Sequence, residues 1–129
     1  MEKIIKEMLD QKKWAVVGAT QNTSKFGYKI VKKLVDHEYD VYPINPRYDQ
    51  VDSLKCYPSL DELPVDVDCI SVVVSPEQSE KVLEMALEKG IKRIWFQPGT
   101  FTPELIEKAE DAGIATVYFN CVLVELDKK

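Results

Sequence analysis

Five short apolar runs, rich in β-branched and aromatic residues, recur along the chain: Trp14–Val17, Val41–Ile44, Cys69–Val74, Ile94–Phe96 and Thr116–Phe119. They are near-continuous apolar stretches rather than alternating ones, which is how strands covered on both faces of a parallel sheet read. Segments with apolar spacing of three and four lie between them. Phe26–His37 carries Ile30, Val31, Leu34 and Val35 on one face. Pro76–Lys89 is opened by Ser75, has proline at its first helical position and is closed by Gly90. Pro103–Ala112 is opened by Thr102 and closed by Gly113. Met1–Gln11 mixes Glu and Lys with Ile4, Ile5, Met8 and Leu9, the pattern of an amphipathic first helix rather than of a signal peptide.

Strand–helix alternation requires right-handed crossovers and a parallel sheet with helices on both faces. The connection Asn45–Asp68 shows a short helical turn at Ser59–Leu63 and no good strand, so the third strand of a Rossmann-type sheet reads as lost. The expected fold is therefore an α/β, Rossmann-like, doubly wound parallel sheet of about five strands in the order 2-1-3-4-5. No linker or repeat divides residues 1–129, and a single domain is expected. The order reverses between the first and third strands, which opens a crevice at the carboxyl ends of the strands.

Composition excludes several functions. The net charge of −5 argues against a nucleic-acid surface, though a local basic pocket is compatible with it. No segment approaches ~18 consecutive apolar residues, so no membrane span is expected. Cys56, Cys69 and Cys121 are widely separated, with no C-x-x-C pair, and His37 is the single histidine. No metal set forms, and a reduced, cytoplasmic protein is the expectation.

The crevice loops hold the candidate ligand residues. The first contains Gly18, Ala19 and Thr20, then Lys25, Phe26 and Gly27 at the start of a helix. Free backbone N–H groups, the positive end of the helix dipole and Lys25 suit a diphosphate. The alternative is a glycine-supported turn with a solvated lysine, because neither G-x-G-x-x-G nor the P-loop pattern is present. The second strand ends in Asn45-Pro46-Arg47. Enzymes that use NAD place an acid near this point, whereas an arginine favours a ligand with a phosphate on its adenosine ribose, as in NADP or coenzyme A. Arg47 as a plain solvated residue is the competing reading. Val74-Ser75-Pro76 offers an apolar wall beside a capping serine, and Gln97-Pro98-Gly99 offers close backbone approach. Ordinary helix capping also accounts for Ser75, and Trp95 and Phe96 read as core residues on opposite faces.

Taken in order, these segments resemble one family. Trp14–Ala19, Gly27–Ile30, Tyr42–Arg47, Cys56–Leu60, Asp66–Asp68 and Ile94–Gly99 are similar to the stand-alone CoA-binding domain proteins. That fold also forms the N-terminal domain of succinyl-CoA ligase alpha subunits. The resemblance implies coenzyme A as ligand, with Gly18–Gly27 at its diphosphate and Asn45–Arg47 at its adenosine end. It implies further contacts from Val74–Pro76 and Gln97–Gly99. The ligases carry a phosphorylated histidine in a further domain that is not expected here, so ligase activity does not carry over.

The residues offer no Ser–His, Cys–His or carboxylate–His arrangement, and Cys121 has no histidine beside it. The expected function is thus a non-catalytic module for coenzyme A or an acyl-CoA, with no catalytic residues, and not an enzyme. An NADP-binding oxidoreductase-like protein is the alternative. A subunit that docks on an acyl-CoA enzyme is compatible with the first reading.

Overall fold

In the computed structural model, which describes residues 2–128, the chain opens with α1 (Glu2–Leu9) and β1 (Lys13–Val17), followed by α2 (Phe26–Asp36) and β2 (Asp40–Ile44). A hairpin of β3 (Gln50–Val51) and β4 (Leu54–Lys55) and a 3-10 turn (Leu60–Glu62) lead to β5 (Cys69–Val72). Then come α3 (Pro76–Lys89), β6 (Arg93–Phe96), α4 (Pro103–Asp111), β7 (Ala115–Val117) and α5 (Val122–Asp127).

Five strands form one parallel sheet in the order β2-β1-β5-β6-β7, which is the expected 2-1-3-4-5 order of the main strands. Two apolar clusters sandwich it. Trp14, Val16, Trp95 and Val117 pack with residues of α1, α2 and α5 on one face. Ala15, Val17, Ile70, Val72 and Phe96 pack with α3 and α4 on the other. Successive strand residues point to opposite faces, and Trp95 and Phe96 divide between the two layers accordingly. Helix boundaries follow local chemistry. Ser75 and Thr102 accept hydrogen bonds from the N–H groups of Gln78 and Leu105, and Pro76 and Pro103 sit where no helical N–H is needed.

The structure departs from the sequence expectation in three places. The Asn45–Asp68 connection does contain strands, a two-stranded antiparallel hairpin apart from the main sheet. Its two-residue turn puts Asp52 and Ser53 at φ 49° and 68°, the left-handed pair that such tight hairpins require. The strands at Cys69 and Thr116 stop at Val72 and Val117, short of the expected Val74 and Phe119. A last helix, α5, was not expected at all; it closes one face of the sheet with Val122 and Leu126.

Candidate functional site

Parallel pairing sets Val17 level with Ile44 on one side and Val72 on the other. The chain therefore leaves three neighbouring strands at one line, at Gly18, Asn45 and Val73. Because β2 and β5 flank β1 on opposite sides, the crossover helices depart to opposite faces and a cleft opens there. Its volume is about 490 Å3, within the range of small-molecule sites.

Five expected residues line this cleft together: Gly18, Asn45, Pro46, Arg47 and Val74. Gly18 has φ 101°, and a Cβ there would lie 2.6 Å from the Val73 carbonyl oxygen, so only glycine fits the turn. Asn45 acts as a bracket: its Nδ2 donates to the Ala19 carbonyl at 2.8 Å and its Oδ1 accepts the Arg47 N–H at 2.9 Å. One side chain thus fixes the first loop against the second and aims the backbone of Arg47. The Arg47 side chain is exposed and has no ion-pair partner among the described residues.

The rest of the first loop adjoins the cleft. Ala19 is buried, and the Thr20 and Tyr48 hydroxyls lie 3.1 Å apart. Gln21 Nε2 donates to the Gln50 carbonyl at 2.8 Å, and Tyr28 donates its hydroxyl to Asp52 at 3.1 Å. The unexpected hairpin therefore clamps the loop. Some loop N–H groups are consumed internally, those of Asn22, Ser24 and Lys25, while those of Ala19, Thr20, Phe26 and Gly27 have no partner among the described residues. Lys25 sits at the N-cap of α2 without capping it, and the first turn of α2 holds no acid. Gly27 packs so closely on the loop that a Cβ would lie 2.2 Å from the Gly18 carbonyl oxygen. Phe26 is 61% exposed, with the Lys29 ammonium 5.9 Å from its ring centre.

The other candidates divide. Ser75 and Pro76 begin α3, whose N-terminus adjoins the Val74 wall. Gln97 is buried and its amide is fully engaged. Its Nε2 donates to Ser71 Oγ at 3.0 Å, and its Oε1 accepts the Val122 N–H at 3.1 Å. These bonds tie β5 and β6 to α5, which gives Gln97 a structural task. Pro98 and Gly99 are exposed beyond it, with Gly99 at φ 86°.

Sequence reasoning passed over the walls of the cleft. Pro58, Ser59 and Leu60 form one, and Gln78, Lys81, Val82 and Met85 of α3 form the other. The second group has helical spacing of three, four and seven, so one face of α3 supplies it. Among the described residues no cluster of His, Cys, Asp and Glu could hold a metal ion. Burial raises the Cys56 thiol, and burial raises Cys69 further above the ordinary range, as expected of inert small hydrophobes. No described helix is long and apolar enough to cross a membrane.

A doubly wound sheet with a switch-point cleft and a basic residue at the second strand end defines a nucleotide-binding domain. Within that class the chain belongs to the CoA binding domain family, whose pattern matches residues 12–127. It is 41% identical over 78 residues to the ADP-forming acetate–CoA ligase of Methanocaldococcus jannaschii, covering 60% of this chain and 11% of that protein. It is 32% identical over 119 residues to the alpha subunit of ADP-forming acetate–CoA ligase II of Pyrococcus furiosus, covering 84% and 26%. The chain thus spans between 11% and 26% of the length of these ligases and is homologous to their CoA-binding region. A hypothetical protein from Pyrococcus horikoshii OT3 has the same structure, with a TM-score of 0.91 and 35% identity, covering 98% of this chain and 89% of that one.

Proposed function

We propose that this domain binds coenzyme A or an acyl-CoA in the switch-point cleft and performs no reaction of its own. The observation that carries the reading is the exposed Arg47 at the end of β2, held by the Asn45 bracket and free of any carboxylate partner among the described residues. Its guanidinium would pair with the ribose phosphate of coenzyme A, as planar guanidinium groups do. Ile44, Pro58, Leu60 and Val82 give the cleft an apolar lining suited to adenine. Unpartnered N–H groups of Ala19, Thr20, Phe26 and Gly27, at the uncapped start of α2, suit the diphosphate. Membership in the CoA binding domain family supports the same ligand.

Among the described residues no histidine, cysteine or carboxylate lines the cleft, and the domain is read as a binding module on that basis. A partner enzyme that supplies or uses the acyl group fits this role, as the ligases of which such a region forms part suggest.

Arg47→Ala tests the reading. Loss of a charge-assisted contact of roughly 1.5–3 kcal/mol lowers CoA affinity about ten- to hundredfold. The loss shrinks for 3′-dephospho-CoA, which lacks the phosphate, and calorimetric titration of both ligands measures the difference. Equal CoA affinity of the wild type and the variant would leave Arg47 merely solvated.

A further inference from the structure

The cleft is lined by a second cation, which comes from a different element than Arg47. Lys81 lies on α3 in register with Gln78, Val82 and Met85, all of which line the cleft. Its ammonium has no carboxylate within ion-pair distance among the described residues. On the same helix, Glu80 and Glu84 lie 3.6 and 4.0 Å from Lys108 of α4. Two of the four acids of α3 thus turn toward α4, while Lys81 lines the cleft.

This arrangement matters because the chain is acidic. Asp and Glu make up 22 of 129 residues, yet among the described residues none that lines the cleft is an acid, and the charged ones there are Arg47 and Lys81. Two cations that approach one cavity from different elements repel each other when it is empty. Both side chains are exposed, so water screens that repulsion, and a doubly charged phosphate between them would be attracted by both.

Resting on the proposed function, we infer that Lys81 is a second phosphate-binding residue, and that with Arg47 it holds the ribose phosphate of a 3′-phosphoadenosine nucleotide from two different elements of the cleft. Arg47 gives the flat, forked contact, and Lys81 gives a mobile point charge that follows the phosphate. The cleft then selects nucleotides phosphorylated on the adenosine ribose, and the first loop holds the remainder of the molecule. Adenosine 3′,5′-bisphosphate is the smallest probe that carries the recognised part.

The test is calorimetric titration of wild type, Lys81→Ala, Lys89→Ala and Lys81→Arg with CoA, 3′-dephospho-CoA and adenosine 3′,5′-bisphosphate. Lys89 lies on the same helix but outside the cleft, so it controls for the general field of the protein. Lys81→Ala is expected to weaken CoA and the bisphosphate about tenfold and dephospho-CoA less than twofold. Lys89→Ala leaves all three within about twofold, and Lys81→Arg recovers most of the loss. Unchanged CoA affinity in Lys81→Ala, with CoA still bound by the wild type, overturns the inference and spares the proposed function. An equal loss for CoA and dephospho-CoA assigns Lys81 to the diphosphate and overturns it too. An equal loss in Lys89→Ala reduces the effect to net charge, which also overturns it. Failure of the wild type to bind CoA at all sinks the proposed function instead.

Discussion

Gly27→Ala separates two forces that act in opposite directions at the start of α2. Helix propensity alone favours the change, because alanine is better than glycine inside a helix by about 1 kcal/mol. Packing opposes it. The added Cβ would lie 2.2 Å from the Gly18 carbonyl oxygen and 3.4 Å from the Ala19 Cα. Real Cβ atoms do not come within 3.0 Å, so α2 and the loop must part by about 1 Å. The obstacle is backbone that is itself fixed: the Gly18 N–H donates to the Ile44 carbonyl at 3.1 Å, and Asn45 holds the Ala19 carbonyl. Overpacking of this kind costs roughly 2–3 kcal/mol, which leaves a net loss of about 1–2 kcal/mol after the propensity gain. For a domain of this size that is a fall of roughly 4–8 °C in Tm. Urea and thermal unfolding measure the stability, and CoA titration reads the displaced loop as weakened binding. A variant as stable as the wild type, with unchanged CoA affinity, would refute the claim that this contact sets the loop.

Two further substitutions probe the frame of the site and its buried thiols. Gln97→Ala strands Ser71 Oγ and the Val122 N–H in the interior, so a loss of about 2–4 kcal/mol is expected in urea unfolding; a loss below 1 kcal/mol would deny Gln97 its structural task. The thiols of Cys69 and Cys56 are raised by burial, so the unfolded chain releases these protons first as pH rises past the ordinary thiol value of about 8.5. Stability present below that pH therefore falls between about pH 8.5 and the higher folded values, and the urea midpoint at pH 9.5 should lie below that at pH 7.5. Cys69→Ala should flatten this decline, and an unchanged slope would assign it to other groups.

The sheet was legible because its strands are buried on both faces, so that continuous apolar runs marked all five, and Ser75, Thr102, Pro76 and Pro103 marked the helix starts. The hairpin escaped notice because its turn uses Asp52 and Ser53 at positive φ, where Gly or Asn is the usual signal, and because each strand has only two residues. α5 is six residues long and has no side-chain cap, so its existence depends on packing Val122 and Leu126 against the sheet rather than on local propensity. That Gly18, Asn45, Pro46, Arg47 and Val74 line one cleft was legible because topology puts the strand ends there. The place of Lys81 on the cleft was not legible, since a helix face becomes a cleft wall only once the crossover has placed it. The sequence places Gln97 at a strand end, and only the structure shows that both ends of its amide are engaged within the fold.

The central claim is the identity of the ligand, and titration of the purified domain with CoA, NAD, NADH and NADPH under identical conditions tests it most directly. Membership in the CoA binding domain family predicts saturable, one-to-one binding of CoA that is tighter than that of any nicotinamide cofactor. Arg47 and Lys81, which would serve the ribose phosphate of NADPH as well, predict NADPH as the tightest of the other three. Tighter binding of NADPH, or no heat with CoA from a folded domain, would contradict it.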